Sequence, residues 1–360
     1  MEFGYFTLSD NHYPNSPRSA NQFVLEIREQ AILADRLGMH SAWIGEHHFD
    51  SLGVNSRPDM VLSSIVSETR NIRLAPAVTV MPLHHPIHVA ESWATLDLLS
   101  GGRVDFATGR GYDKNEYKPF GADFFKSAEI FEEGVDVLLK AWNSPGPWSH
   151  KGTYYDIPEM QITPRPVQNP IPIYIASFSK TSVDMAAKRG LNIIYAPFAT
   201  GMMFGGLDKA VDTYREACVQ AGNRPGRAMC SYFIFIADDK KADDYGRQAQ
   251  LDYFNHCVIR AIPTKLEEAP PTLQYFVKLA DILKKMQKED LSDRSILIGS
   301  PAKIIESLKK VEAAGIEEVI LYFNVGNKPH ALVKEQMHRF MEEIAPHFHG
   351  KHIDRRRLAA

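Results

Sequence analysis

Four short stretches hold the side chains best suited to moving protons or gripping anions. Glu46-His47-His48-Phe49 sets a carboxylate beside two histidines. An imidazole titrates near neutrality, so it can serve there as a base or as a hydrogen-bond donor. Successive side chains on an extended segment face opposite ways, so one of the two is expected to look into a cavity. The alternative use of such a pair is to satisfy loop backbone groups. His84, His85 and His88 crowd around Pro86, a density that raises metal ligation. Arg110 stands between Gly109 and Gly111, where a planar guanidinium can meet an anion while the backbone stays open, or can pair with a carboxylate of the chain. The run Ile175-Ala176-Ser177-Phe178-Ser179-Lys180-Thr181-Ser182 turns from apolar to helix-like. Free N–H groups and hydroxyls at a helix start suit a phosphate, although the same residues also cap helices that bind nothing.

Each stretch follows or closes a short apolar run, and such runs alternate with amphipathic segments along the chain. Strands are predicted at Glu2–Leu8, Ser41–Gly45, Ile72–Met81, Val104–Thr108, Pro172–Ala176, Asn192–Ala196, Met229–Ile236 and Glu318–Phe323. Helices are predicted at Asn21–Leu37, Pro86–Leu99, Ser127–Trp142, Lys180–Arg189, Asp208–Ala221 and Ala302–Ala314. In the last, Ile304, Ile305, Leu308 and Val311 fall on one face, Ser300-Pro301 opens it and Gly315 closes it. Eight strand–helix units imply parallel pairing through right-handed crossovers and closure into an α/β fold, a (β/α)8 TIM barrel with insertions. No G-x-G-x-x-G follows the first strand, which disfavours an open doubly wound sheet. In such a barrel the reactive groups gather at the carboxyl ends of the strands.

Two stretches break the rhythm. Pro145–Pro172, with seven prolines, reads as a long loop or small hairpin. Residues 260–294, an insertion within the barrel, carry Pro263, Pro270, Pro271 and a lysine-rich amphipathic helix. They read as a lid over the active face or as a peripheral helix for dimer packing. A zinc hydrolase on this frame is expected to open with H-x-H on its first strand and to end its last strand on an aspartate. Met1–Leu8 has no histidine and EEVILYFN ends on none, so no metal site is predicted.

Composition narrows the class. The chain has 360 residues, 44% hydrophobic and 24% charged, with a formal net charge of −3. That balance gives no electrostatic reason to expect a nucleic acid or a membrane surface as partner. A single barrel domain is expected over 1–348, followed by a basic C-terminal tail at 349–360. Three cysteines, none in C-x-x-C, fit a reducing compartment. No apolar run reaches the roughly 18–20 residues of a membrane span, and MEFGYFTLSD lacks signal-peptide character, so a cytoplasmic location is expected.

In order and spacing the motifs resemble those of the bacterial luciferase-like flavin-dependent monooxygenases. The pieces are E-H-H-F at Glu46–Phe49, A-V-T-V-M-P-L-H-H-P at Ala77–Pro86, L-D-x-L-S-G-G-R at Leu96–Arg103, G-R-G at Gly109–Gly111, and Phe120-Gly121. The resemblance runs from Met1 to about Phe348 and is strongest from Glu2 to Gly121. It implies an FMN site at the barrel mouth, with reduced FMN supplied by a separate flavin reductase. It implies that O2 adds to the flavin as a hydroperoxide, which oxygenates a small organic substrate. By the same resemblance His47 is catalytic and His85 lies near the reaction centre. Ala77 and Val78 meet in a cis peptide beside the flavin ring, and Arg110, Ser177, Phe178 and Thr181 hold the FMN phosphate. Val78, Met81 and Phe106 are expected as apolar walls of the ring. A homodimer paired through early helices is also implied. Gly109 stands where the light-emitting subunit has a cysteine, which argues against bioluminescence. Two alternatives stay open, a deazaflavin-dependent hydride-transfer oxidoreductase of the same superfamily and a non-catalytic flavin-binding protein.

Overall fold

The computed structural model describes residues 1–292 and 296–348. The expected basic tail at 349–360 and the last two residues of the 260–294 insertion lie outside the described residues. Twelve strands form among those described: β1 Glu2–Thr7, β2 Ser41–Ile44, β3 Arg73–Pro76, β4 Thr79–Val80, β5 Phe106–Gly109, β6 Trp148–Lys151, β7 Asp156–Met160, β8 Ile173–Ser177, β9 Asn192–Tyr195, β10 Ala228–Ile236, β11 Ile296–Gly299 and β12 Glu318–Tyr322.

The large sheet is parallel and nearly closes on itself in the order β3-β2-β1-β12-β10-β9-β8-β5-β4. A bridge between Leu74 and Val104 joins β3 to the approach of β5 and completes the ring. The expected third strand at 72–81 is split: β3 pairs with β2, β4 pairs with β5, and the Ala77–Val78 peptide between them is cis. Counting that pair as one position leaves the eight positions of a (β/α)8 barrel.

Both faces of the strands are apolar, as a buried parallel sheet requires. On the outer face Tyr5, Ile44, Leu74, Ile175, Ile193 and Leu321 pack against residues such as Phe23, Ile27, Val135 and Leu308 of the surrounding helices. On the inner face Phe6, Trp43, Tyr174, Ile194, Ile320 and Tyr322 fill the barrel. The two-residue period of a strand assigns these faces. The same period corrects one expectation. Phe106 faces outward, edge-on to Trp93 and Trp142, and its neighbour Ala107 faces in.

Helix ends follow local chemistry. Ser300 caps the helix Pro301–Ala313, accepting from the Lys303 N–H, and Gly315 takes the left-handed turn beyond it. Ser179 caps Lys180–Lys188 in a capping box with Ser182. The stretch 145–172 contains the antiparallel hairpin β6–β7. Beyond β10 come the helix Lys240–Tyr253, short turns, the helix Tyr275–Lys285 and then β11, which pairs with the far end of β10. That strand, an extra one outside the eight positions, was not anticipated.

Candidate active site

A cavity of about 290 Å³ opens where the carboxyl ends of the barrel strands meet the insertion. Phe6, Val78, Phe178, Ile194, Phe233 and Ile320 contribute from the barrel, and Ile262, Leu273, Tyr275, Phe276 and Leu279 close over it from residues 260–294. The polar lining includes Glu46, His47, Arg110, Asp113, Glu116, Glu132, Ser231, Thr272 and the Ser179–Ser182 turn.

His47 follows β2 by three residues, and its N–H to the Asn55 carbonyl (2.9 Å) fixes the backbone. Its Nδ1 lies 3.0 Å from Glu116 Oε1, which also accepts the His48 N–H at 2.8 Å. Burial favours the neutral ring, but the charge and hydrogen bond of Glu116 outweigh it and raise the His47 pKa. With Nδ1–H donated to Glu116, Nε2 is the nitrogen left to exchange a proton.

His48 turns away from His47, as alternation predicts. Its Nε2 lies 3.0 Å from Glu46 Oε1, which also takes His84 Nε2 at 2.6 Å, while Glu46 Oε2 accepts the Val80 N–H at 3.2 Å. Burial pushes the Glu46 carboxyl up, yet its two histidine partners bring it down to about 2. A charged Glu46 thus ties the end of β2 to β4.

Asp113 caps the short helix Lys114–Tyr117 through Oδ1, and burial pushes its carboxyl up to about 6, the Ser51 hydroxyl opposing and Glu116 adding to the rise.

Arg110 and the turn into Lys180–Lys188 line the same cavity. The Arg110 fork donates to Thr272, Nη1 to Oγ1 at 2.5 Å and Nη2 to the carbonyl at 3.4 Å. The first N–H groups of the helix, Lys180 and Thr181, lie outside its hydrogen-bond ladder. Ser177 is fully buried behind the lining, and its hydroxyl has no hydrogen-bond partner. At Gly109 a Cβ would come within 3.0 Å of Val78 Cγ2, so the bare backbone keeps that wall open. An arginine, a helix start and an apolar cavity together suit a phosphate-bearing ring.

The structure therefore brings together His47, Ala77, Val78, Arg110, Phe178 and Thr181, with Ser177 directly behind them. It does not bring in His85. That side chain is exposed, accepts the Ile87 N–H as cap of the helix Pro86–Ser100, and rests against Tyr155 and His88. Pro86 starts the helix immediately after it, which turns the ring outward; His84 is the histidine of that pair that reaches inward. Met81 is likewise buried among the outer-face residues. Among the described residues Glu46, His48 and His84 lie close enough to share a metal. Their mutual hydrogen bonds already satisfy the carboxylate.

Sequence reasoning missed Glu116. Its one signal is Asp113-Lys114-Asn115-Glu116, the spacing of a capping box, but Glu116 turns from the cap to His47 instead. The insertion was expected as a lid over the active face or as a peripheral helix, but nothing local in 260–294 singles out Tyr275 and Phe276 as the rings that line the cavity.

Known proteins of similar sequence and fold place the chain in one family. A family model described as luciferase-like monooxygenase matches residues 1–318. The flavin-dependent trigonelline monooxygenase, oxygenase component, of Acinetobacter baylyi is 25% identical over 353 residues, 94% of each chain. The alkanal monooxygenase alpha chain of the Kryptophanaron alfredi symbiont is 22% identical, covering 98% of this chain and 99% of its own. The oxygenating constituent of 3,6-diketocamphane monooxygenase from Pseudomonas putida, solved in complex with FMN, superposes with a TM-score of 0.72 at 21% identity, over 96% of this chain and 98% of that one.

Proposed function

Because the chain belongs to the luciferase-like monooxygenase family, we propose that it is the oxygenase component of a two-component system, taking reduced FMN from a separate flavin reductase and using O2 to oxygenate a small organic substrate. The observation that carries this reading is the convergence of Arg110, a helix start and His47 on one apolar cavity. The trigonelline relative is by name an oxygenase component, which supports a reductase as partner.

Reduced FMN, when bound, supplies the two electrons with which O2 delivers one oxygen atom to the substrate and the other to water. The chain does the rest. The Arg110 fork and the N–H groups of Lys180 and Thr181 hold the phosphate. Val78 and the bare Gly109 backbone form the wall for the ring. Phe276 and Leu279 cover the cavity and exclude water, so oxygen chemistry is not wasted as peroxide. His47 holds or moves a proton at Nε2 while Glu116 fixes its tautomer and ring plane.

Oxygen uptake with chemically reduced FMN and a panel of ketones, aldehydes, sulfur compounds and aromatic rings tests the reading. Uptake that rises with one substrate class and yields a product heavier by one oxygen supports it. Hydride transfer with a reduced deazaflavin and no need for oxygen would replace it.

A further inference from the structure

Among the described residues, Arg110 is the one arginine or lysine that lines the cavity, and it pairs with no carboxylate. Both bonds of its fork go to Thr272 of the insertion. The side chain is half-buried, and burial lowers its pKa, with Tyr275, Tyr117 and Glu129 opposing. A cation drawn out of water needs an anion, and a neutral hydroxyl and carbonyl are weaker partners than one. Thr272, at the cavity rim, spends only an acceptor on this contact. Its Oγ1 receives the arginine, and among the described residues its own O–H goes to no acceptor. Tyr275, three residues further on, lines the same cavity with its ring stacked on Phe276 at 4.4 Å. Burial raises its phenol and the Arg110 charge opposes the rise, with no hydrogen bond contributing. Two hydroxyl donors of the insertion thus stand beside a cation that lacks its anion.

We propose that Thr272 and Tyr275 complete the phosphate site from the insertion side: a phosphate seated on the Arg110 fork accepts both hydroxyls and clamps residues 266–285 onto the barrel. The proposal rests on the FMN reading for the identity of the ring, but not for the recognition of the anion. Without the phosphate, the Arg110–Thr272 contact holds the insertion through neutral acceptors alone. With it, both hydroxyls donate to a charged oxygen, and such bonds are shorter and stronger than neutral ones. Phosphate binding and closure of the insertion then favour each other by the same factor. The phosphate takes no part in the oxygen chemistry, yet it is the part of the flavin that seals the cavity around that chemistry.

Reduced FMN and reduced riboflavin share a ring and differ by the phosphate, so together they isolate the clamp. Both are titrated anaerobically into the full chain, and amide exchange is followed across 266–285. FMN should slow that exchange well beyond what riboflavin does. Thr272→Val and Tyr275→Phe should each weaken FMN about tenfold, the lower end for a hydrogen bond to a charged group, and leave riboflavin within about twofold. Thr272→Ser, which keeps the hydroxyl, should bind FMN as wild type does. Either hydroxyl-free variant binding FMN like wild type overturns the proposal. So does either variant losing the two flavins equally, the sign of a merely structural role in the wall. Exchange that quickens with FMN overturns it as well, because the phosphate would then displace Thr272 from Arg110 and open the insertion. Inorganic phosphate separates the clamp from the flavin reading. Slower exchange with phosphate in wild type but not in Thr272→Val, with neither flavin bound, would sink the flavin reading and leave the clamp in place. No slowing with phosphate or with FMN overturns the clamp.

Discussion

At the scale of single residues, the site depends on which nitrogen and which oxygen are already engaged. His47 touches the cavity but gives Nδ1 to Glu116, so removing it should spare flavin binding. His47→Ala is expected to bind reduced FMN nearly as wild type, with product yield lower by about 10²–10⁴-fold and hydrogen peroxide raised in its place. Unchanged coupling of oxygen use to product would remove His47 from the chemistry. Glu116 is a positioning residue, because it acts through the imidazole. It holds the His47 pKa up, so Glu116→Gln should move the histidine-linked limb of the pH–rate profile to lower pH, and an unmoved limb would separate the two groups. Glu46 makes a stability prediction with a definite sign. Its folded value of about 2 lies below the ordinary 4.5, so its contribution is present above pH 4.5 and is lost as pH falls toward 2. The linkage is on the order of 3 kcal/mol, and acid unfolding of Glu46→Gln should be flatter across that window. The E-H-H-F motif made one cavity-facing histidine legible, and the family resemblance picked out His47. Neither could say that His48 and His84 would share one carboxylate, nor that His85 would cap a helix outside the cavity, because those outcomes depend on how the loops after β2 and β4 meet in space.

At the scale of elements, the periods of two and 3.6 residues carry most of the fold. All eight barrel positions lie within a residue or two of their expected places, except that the third strand is interrupted at Ala77–Val78. Phe106 illustrates the limit: an apolar residue on a strand buried on both faces can serve either one, and only register with β8 and the packing of Trp93 and Trp142 decides. The insertion at 260–294 was legible as an interruption and as a lid or a peripheral helix, but not in which of its side chains face the cavity. We propose that it works as a lid. Its ties to the rest of the chain are mostly apolar: Leu273, Phe276, Leu279 and Leu283 pack into the inner cluster, Phe276 lies on Tyr112 and Phe178, and the polar contacts include Arg110 to Thr272, Lys114 to Glu268 at 2.9 Å and Arg247 to the Leu291 carbonyl at 2.9 Å. Phe276→Ala should loosen that docking alone. Amide exchange should quicken across 266–285 while β1, β8 and β12 keep their protection, and uniform loss of protection would show instead that the segment is part of one cooperative core.

At the scale of the whole molecule, the helices early in the chain also carry information. Leu25, Met60, Leu98 and Leu99 are exposed on the helices Ala20–Arg36, Pro58–Ser63 and Pro86–Ser100. Large apolar side chains gathered on neighbouring early helices suit a two-fold partner surface, and we propose a homodimer paired there. Light scattering should give twice the 40.6 kDa chain mass at micromolar concentration, with Leu99→Glu shifting it toward the monomer; a monomeric wild type would refute the pairing. Neither composition nor periodicity identifies such a face, since a helix on a barrel shows apolar residues on its core side in any case. The central claim is that the cavity at the barrel mouth is built for reduced FMN, and an anaerobic calorimetric titration with photoreduced FMN tests it most directly. Wild type should bind one equivalent, and Arg110→Ala should bind more weakly by about 1.5–3 kcal/mol, the range for a hydrogen bond to a charged group. Equal affinity in the two proteins, or no binding of reduced FMN by wild type, would contradict it.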